Sequence, residues 1–183
     1  IGKEYEIINW EEYLYIYYKI LHKYDLLKIG VTFNGEDLEK LKTTGNCAGC
    51  DLRAANLVGA EIDGADLTRA DLSYSELVDA DLTGANLTEV SLSGADLTGT
   101  NFTEANLTEA DLSLTRLNGT LLIESNLTGA NLHGANLFLA DLSGASLRLA
   151  DLTGASLESV QNTSEAIFCN TTMPDGTKNN SGC

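Results

Sequence analysis

A chain of 183 residues, 43% hydrophobic and 21% charged, has the apolar content of one compact folded unit. Its net charge is −16, with only four Lys or Arg among residues 46–160, so it lacks the positive surface that neutralises phosphates and direct nucleic-acid binding is not expected. No run of roughly 18 or more apolar residues occurs, so no membrane span is expected, and the start has neither the apolar stretch nor the cleavage site of a signal peptide.

The chain begins at Ile1 rather than Met, which fits a processed mature protein or a trimmed one. Residues 1–46 hold six of the seven Tyr and the only Trp. Asn9 and Glu12 have the spacing of a capping box. From Trp10, apolar residues recur at helical spacing through Tyr13, Leu14, Tyr17, Ile20, Leu21, Tyr24 and Leu27. Gly30 can end that helix, and GEDLEKLKT (35–43) predicts a second, short one closed by Gly45. Such an aromatic stripe reads as an α-helical cap packed on the rest of the chain, or as a partner surface. Cys47 and Cys50 form a CxxC. They are compatible with a local disulfide, with buried free thiols, or with redox or metal chemistry, although no second CxxC or HxxxH completes a zinc site.

From Cys50 to Ser159 the chain is 22 consecutive pentads without an insertion. The central position, i, is Leu in all but two, the exceptions being Ile62 and Phe102, and position i−2 is Ala in 15. A period of five fits neither a helix nor a strand, so the chain must turn once per pentad. Positions i−2 and i then face inward, and i−1, i+1 and i+2 face outward. Gly at i+2 in 10 pentads, often after Thr or Ser, suits a recurring tight turn. No pentad buries much by itself, so stability must come from stacking.

The pattern A(D/N)LXX over 22 pentads resembles the pentapeptide-repeat family, and TTGNCAGCDL (43–52) after a short helix is similar to the N-terminal boundary of its cyanobacterial members. The resemblance implies a β-solenoid: a right-handed, quadrilateral parallel β-helix with four pentads per coil. At the ordinary strand spacing of about 4.8 Å, 22 pentads make about 5.5 coils and roughly 26 Å of rod. An α-helical N-terminal cap (1–46) and the β-helix (47–160) are followed by a change of register. Ala166 with Phe168, and Thr171 with Met173, fit the repeat only if one residue is inserted after Leu157. Residues 161–175 therefore read as closing pentads after a bulge, with Phe168 and Met173 covering the apolar end, and 176–183 as a disordered tail.

Little in the sequence points to catalysis. His133 falls at an outward i+1 position, and no phosphate-binding, dinucleotide or HExxH motif is present, so neither an enzyme nor a cofactor is expected. Asp63, Asp66 and Asp71 lack the loop pattern of a calcium site. Stacking by twenties puts Asp51, Asp71, Ser91, Asp111, Asn131 and Asp151 in one outward column, where like charges are expected to repel and to raise one another's pKa. Residues 50–159 carry 17 acidic and 4 basic side chains, a net −13, or about one charge per 2 Å of rod against about one per 1.7 Å in B-DNA. That comparison, and the resemblance to a family with gyrase-binding members, supplies one alternative: an acidic DNA mimic. Another is a stable structural protein with no dedicated partner.

The preferred reading is a non-enzymatic interaction module, a monomer or weak dimer with a protein partner. The compartment leans to an exported one, periplasm or thylakoid lumen, with the cytoplasm as alternative. Its surface is marked by TLLIE (120–124). The register keeps Thr120 and Leu122 inward, which turns Leu121 and Ile123 outward, beside Phe138 and Leu139 one coil up. These four form an apolar patch on an acidic rod. The C-terminal tail or a second copy would cover it in the simplest case, and a different protein in the other.

Overall fold

The computed structural model describes residues 34–183. The aromatic helix expected between Trp10 and Leu27 lies outside the described residues. Helix α1 spans Gly35–Thr44. The Asn34 side chain accepts a hydrogen bond from the Glu36 N–H at 3.0 Å, Glu36 and Asp37 sit in the positive first turn, and Gly45 closes the helix at φ 65°. Its buried face, Leu38 and Leu41, joins the same apolar cluster as Cys47, Cys50 and Leu52. Asn34 N donates to the Asp51 carbonyl, and Asp51 N donates to the Asp37 carboxylate, both at 2.9 Å. Helix α1 therefore satisfies backbone groups that have no coil beneath them.

From Asn46 onward the residue at i−1 bridges, in parallel, the residue twenty positions later, from Asn46 with Asp66 through to Asp141 with Gln161. Four pentads thus complete one turn of a solenoid. The bridge register begins at Asn46, one pentad before the 22 counted from Cys50, with Cys47 in the place of the central Leu. Cys47 and Cys50 are joined as a disulfide and wholly buried.

Pentad 81–85 shows why the pattern takes this shape. Asp81 N donates down to the Ala60 carbonyl (2.8 Å), Leu82 N up to Asn101 (2.8 Å), Gly84 N up to Thr103 (2.8 Å), and Ala85 N back to Leu82 (3.0 Å). The remaining amide, Thr83 N, is taken by the Asp81 side chain at 2.9 Å. All five N–H groups are satisfied, as burial demands. The inward positions hold a single file of Leu and Ala, and the hydroxyls that replace Ala donate to carbonyls, Thr100 to Leu77 and Thr120 to Leu97, each at 2.8 Å.

After Gln161 the spacing changes to 21: Ser146 bridges Ile167 and Asp151 bridges Thr172. One residue has been inserted, and Phe168 returns to the core at 6% exposure with Met173 partly buried against it. The segment 176–183, expected to be a disordered tail, instead folds back. Strand β1 (Thr171–Thr172) pairs antiparallel with β2 (Lys178–Asn179) across a turn at Pro174–Gly176. Cys169 is bonded to Cys183, which anchors a stretch whose polar composition alone suggests disorder.

Candidate functional site

The outward surface is built from i−1, i+1 and i+2 side chains. In residues 50–159, 15 pentads carry Asp or Asn at i−1. In every one of them Oδ1 accepts a hydrogen bond from the N–H two residues on. These are Asx turns repeated once per pentad. Many also receive the Thr hydroxyl at i+1, as Asp66 does from Thr68 at 2.7 Å. The preference for Asp or Asn at i−1 is therefore first a requirement of the backbone, which an uncharged Asn meets as well as Asp does.

The column Asp51, Asp71, Asp111, Asp151 stacks as expected, with Ser91 and Asn131 interrupting it. Asp51 and Asp151 shift in the direction opposite to the one expected. Asp51 is held below its ordinary value, chiefly by the Arg53 guanidinium, which binds both its oxygens at 2.8 and 2.7 Å. Arg53 also lies 3.7 Å from Asp71. Asp151 is lowered chiefly by the Thr153 hydroxyl and then by the Thr153 N–H. Asp111 accepts from Asn131 Nδ2 at 3.1 Å. Each carboxylate meets a donor before it meets another carboxylate, which overturns the expectation of repulsion.

Asp66, Asp81 and Asp141 are lowered in the same way, first by the Thr68, Thr83 and Ser143 hydroxyls. A carboxyl with a depressed folded pKa contributes stability that is present above its unfolded value and lost as pH falls through the folded one. The melting temperature should therefore be level above about pH 5 and fall below about pH 4. Asp81→Asn keeps the Oδ1 acceptor without the titration, so its acid loss should be smaller than that of the parent chain, with little change at pH 7. Thermal melts by circular dichroism across that range check both statements.

The structure places the four apolar residues on one face and its two flanking corners: Leu121 on the face, Phe138 and Leu139 in the corner stack that precedes it, and Ile123 in the corner stack that follows it. Leu121 lies between Asn101 and Asp141 in the bridge register. The Phe138 carbonyl accepts from Gly119 N at 2.8 Å, so Phe138 and Leu139 form the turn stacked directly above the one leading into Leu121. Leu121, Phe138 and Leu139 are 38%, 39% and 45% exposed, and Ile123 is half-buried. Leu121 has no oxygen to offer the Ile123 N–H, so this pentad gives up the Asx bond that Asn101 below it and Asp141 above it make. Exposed Glu104 and Glu124 lie in the corner stack of Ile123 and exposed Glu158 in that of Leu139, Glu104 N donating to the Ile123 carbonyl and Leu139 N to that of Glu158. The tail does not cover this patch: the hydrogen bonds of 177–183 run to the last coil and to Arg148. Sequence reasoning passed over Leu114 and Leu149, 52% and 62% exposed at i+2 positions on other corners. An apolar residue where the repeat prefers Gly was the available signal.

Among the described residues no group of three or more His, Cys, Asp or Glu is placed to hold a metal ion. No helix among them is long and apolar enough to cross a membrane. The sequence pattern of pentapeptide repeats matches in eight copies, over residues 46–84, 75–113, 105–144, 115–154 and 139–161. The chain belongs to the pentapeptide-repeat family. Among solved structures, the pentapeptide-repeat protein Rfr23 from the cyanobacterium Cyanothece 51142 is 34% identical over 75% of this chain and 97% of its own, with a TM-score of 0.52. HetL, a pentapeptide-repeat protein involved in heterocyst differentiation regulation in Nostoc sp. strain PCC 7120, is 31% identical over 73% and 78%, with a TM-score of 0.34. QnrB1, a plasmid-mediated fluoroquinolone resistance protein, is 22% identical over 58% and 77%, with a TM-score of 0.29. A search of curated protein sequences finds no match. Pentapeptide-repeat proteins are generally structural or interaction modules rather than enzymes.

Proposed function

We propose that this pentapeptide-repeat chain is a non-enzymatic protein-interaction module that docks its partner on the face of Leu121 and the two corners beside it, which carry Phe138 with Leu139 and Ile123. Its scaffold is a right-handed β-helix of about 5.5–6 coils at the strand spacing of about 4.8 Å. The observation that carries the reading is Leu121. Of the seven i−1 positions without Asp or Asn, six carry another polar side chain (Glu61, Glu76, Ser91, Arg116, Ser146 and Ser156), and Leu121 alone gives up the Asx bond, worth about 1 kcal/mol, for an apolar side chain facing solvent. A local rule broken without gain to the fold marks a site kept for another purpose. Glu104, Glu124, Asp141 and Glu158 beside these residues select a partner with basic residues flanking an apolar anchor.

The acidic-mimic alternative draws no comparable support. The eight Asp at i−1 are engaged in Asx turns, and the likeness to QnrB1 is too distant to carry its role here.

A photo-cross-linking side chain at Ile123 should capture the partner, which is then purified and titrated against the unmodified chain. Leu121→Glu with Phe138→Glu should weaken binding at least about tenfold, as loss of a central apolar anchor does, with an unchanged melting temperature. Equal affinity of the double variant would remove this surface as the docking site.

A further inference from the structure

The two disulfides sit at opposite ends of the described rod and differ in access. Cys47 and Cys50 are 0% and 4% exposed beneath α1, whereas Cys183 is exposed and Cys169 half-buried. Exchange requires a thiolate to reach a sulfur, so access decides which bridge reacts.

The exposed bridge also holds something. In the lower coils the amides at i and i+2 donate to the coil above, as Leu147 N does to Ile167 and Leu149 N to Cys169. The equivalent amides of the last coil, Phe168 and Asn170, have no coil above them. Phe168 N donates instead to the Ser181 carbonyl (2.9 Å) and Asn170 N to Asn180 Oδ1 (3.0 Å). The returning segment thus stands in for the missing coil. Apart from the bridge it is held by a two-residue ladder and a few polar contacts, among them Lys178 Nζ to Asn170 O (3.0 Å) and Arg148 Nη2 to Gly182 O (3.2 Å). A ladder that short is marginal in water.

We propose that Cys169–Cys183 is a thiol–disulfide exchange site for a dithiol reductant, and that its reduction unlatches residues 177–183 and opens the last coil as a free strand edge. One thiolate of the reductant attacks Cys183 Sγ and breaks the bond to Cys169, which leaves as thiolate and takes a proton. The second thiol of the reductant resolves the mixed disulfide, releasing Cys183 as a thiol and the reductant as its own disulfide. Two electrons pass from the dithiol to the bridge. The opened edge presents the Phe168 and Asn170 N–H groups to solvent, the arrangement to which an extended segment adds as a strand. Cys47–Cys50 stays oxidised.

The full chain, treated under native conditions with graded dithiothreitol and quenched with iodoacetamide, reads the first half by peptide mass. Cys169 and Cys183 should be alkylated together at reductant concentrations at least about tenfold below those that label Cys47 and Cys50. Hydrogen exchange reads the second half. The Phe168 and Asn170 amides should exchange at least about tenfold faster after reduction, while Leu97 in mid-rod keeps its rate. Cys169→Ser with Cys183→Ser should reproduce the fast exchange without reductant. Simultaneous labelling of all four cysteines, or slow Phe168 and Asn170 exchange in the reduced chain or the double variant, overturns the proposal.

Discussion

Replacing Phe102 by Ala is expected to lower the free energy of unfolding by about 3–5 kcal/mol, the usual range for emptying a buried aromatic site. Phe102 is wholly buried and takes the central position that Leu82 holds one coil below and Leu122 one coil above. Its backbone is fixed on both sides, Phe102 N donating to Leu121 O at 2.7 Å and Asn101 N to Ala80 O at 2.9 Å. Neighbouring coils therefore have little freedom to sink into the space, which places the loss toward the upper end. Phe102→Leu restores the common residue and should cost far less. Urea unfolding of both variants, with the slope compared as well as the midpoint, measures the difference.

Gly94→Val should cost about 2–5 kcal/mol, for two separable reasons. Gly94 has φ +68°, a left-handed conformation that costs an L-residue about 1–2 kcal/mol and a β-branched one more. A Cβ there would also lie 2.7 Å from Cδ1 and Cε1 of Tyr74 in the coil below, an overpacking worth about 1–3 kcal/mol. A double-mutant cycle with Tyr74→Ala separates them. Removing the ring should recover the overpacking part and leave the backbone part. Full additivity of the two substitutions would show that the ring simply moves aside.

The period of five, the inward positions and the stacking by twenties are legible because nothing interrupts 22 pentads, so one count assigns every side chain to a face. The inserted residue is legible as well, since Ala166 and Phe168 fit the repeat only after a shift. Side chains that bond within their own turn escape that count. Stacking shows which residues flank Asp51 but not that its oxygens turn to Arg53, so the acidic column looks strained in the sequence when it is satisfied in the fold. The pentad before Cys50 departs from the pattern because Cys47 replaces Leu and Gly45 replaces Ala. The end of the chain is illegible for a different reason: polarity reports what a segment cannot bury, and says nothing of the cross-link that holds it. For the apolar patch, the sequence supplies the residues and the orientation, and the structure adds the flanking carboxylates.

The twenty-residue bridge register that runs from Asn46 to Gln161 has a consequence at the level of the gene. A tandem duplication of twenty codons within the repeat would lengthen the protein by one turn and leave every existing residue on its own side. Loss of five codons would rotate everything downstream by a quarter turn, carrying Phe138 and Leu139 away from Leu121 if the loss fell between them. Growth in whole turns is therefore neutral to recognition, and a single lost pentad rewrites it while the core remains intact.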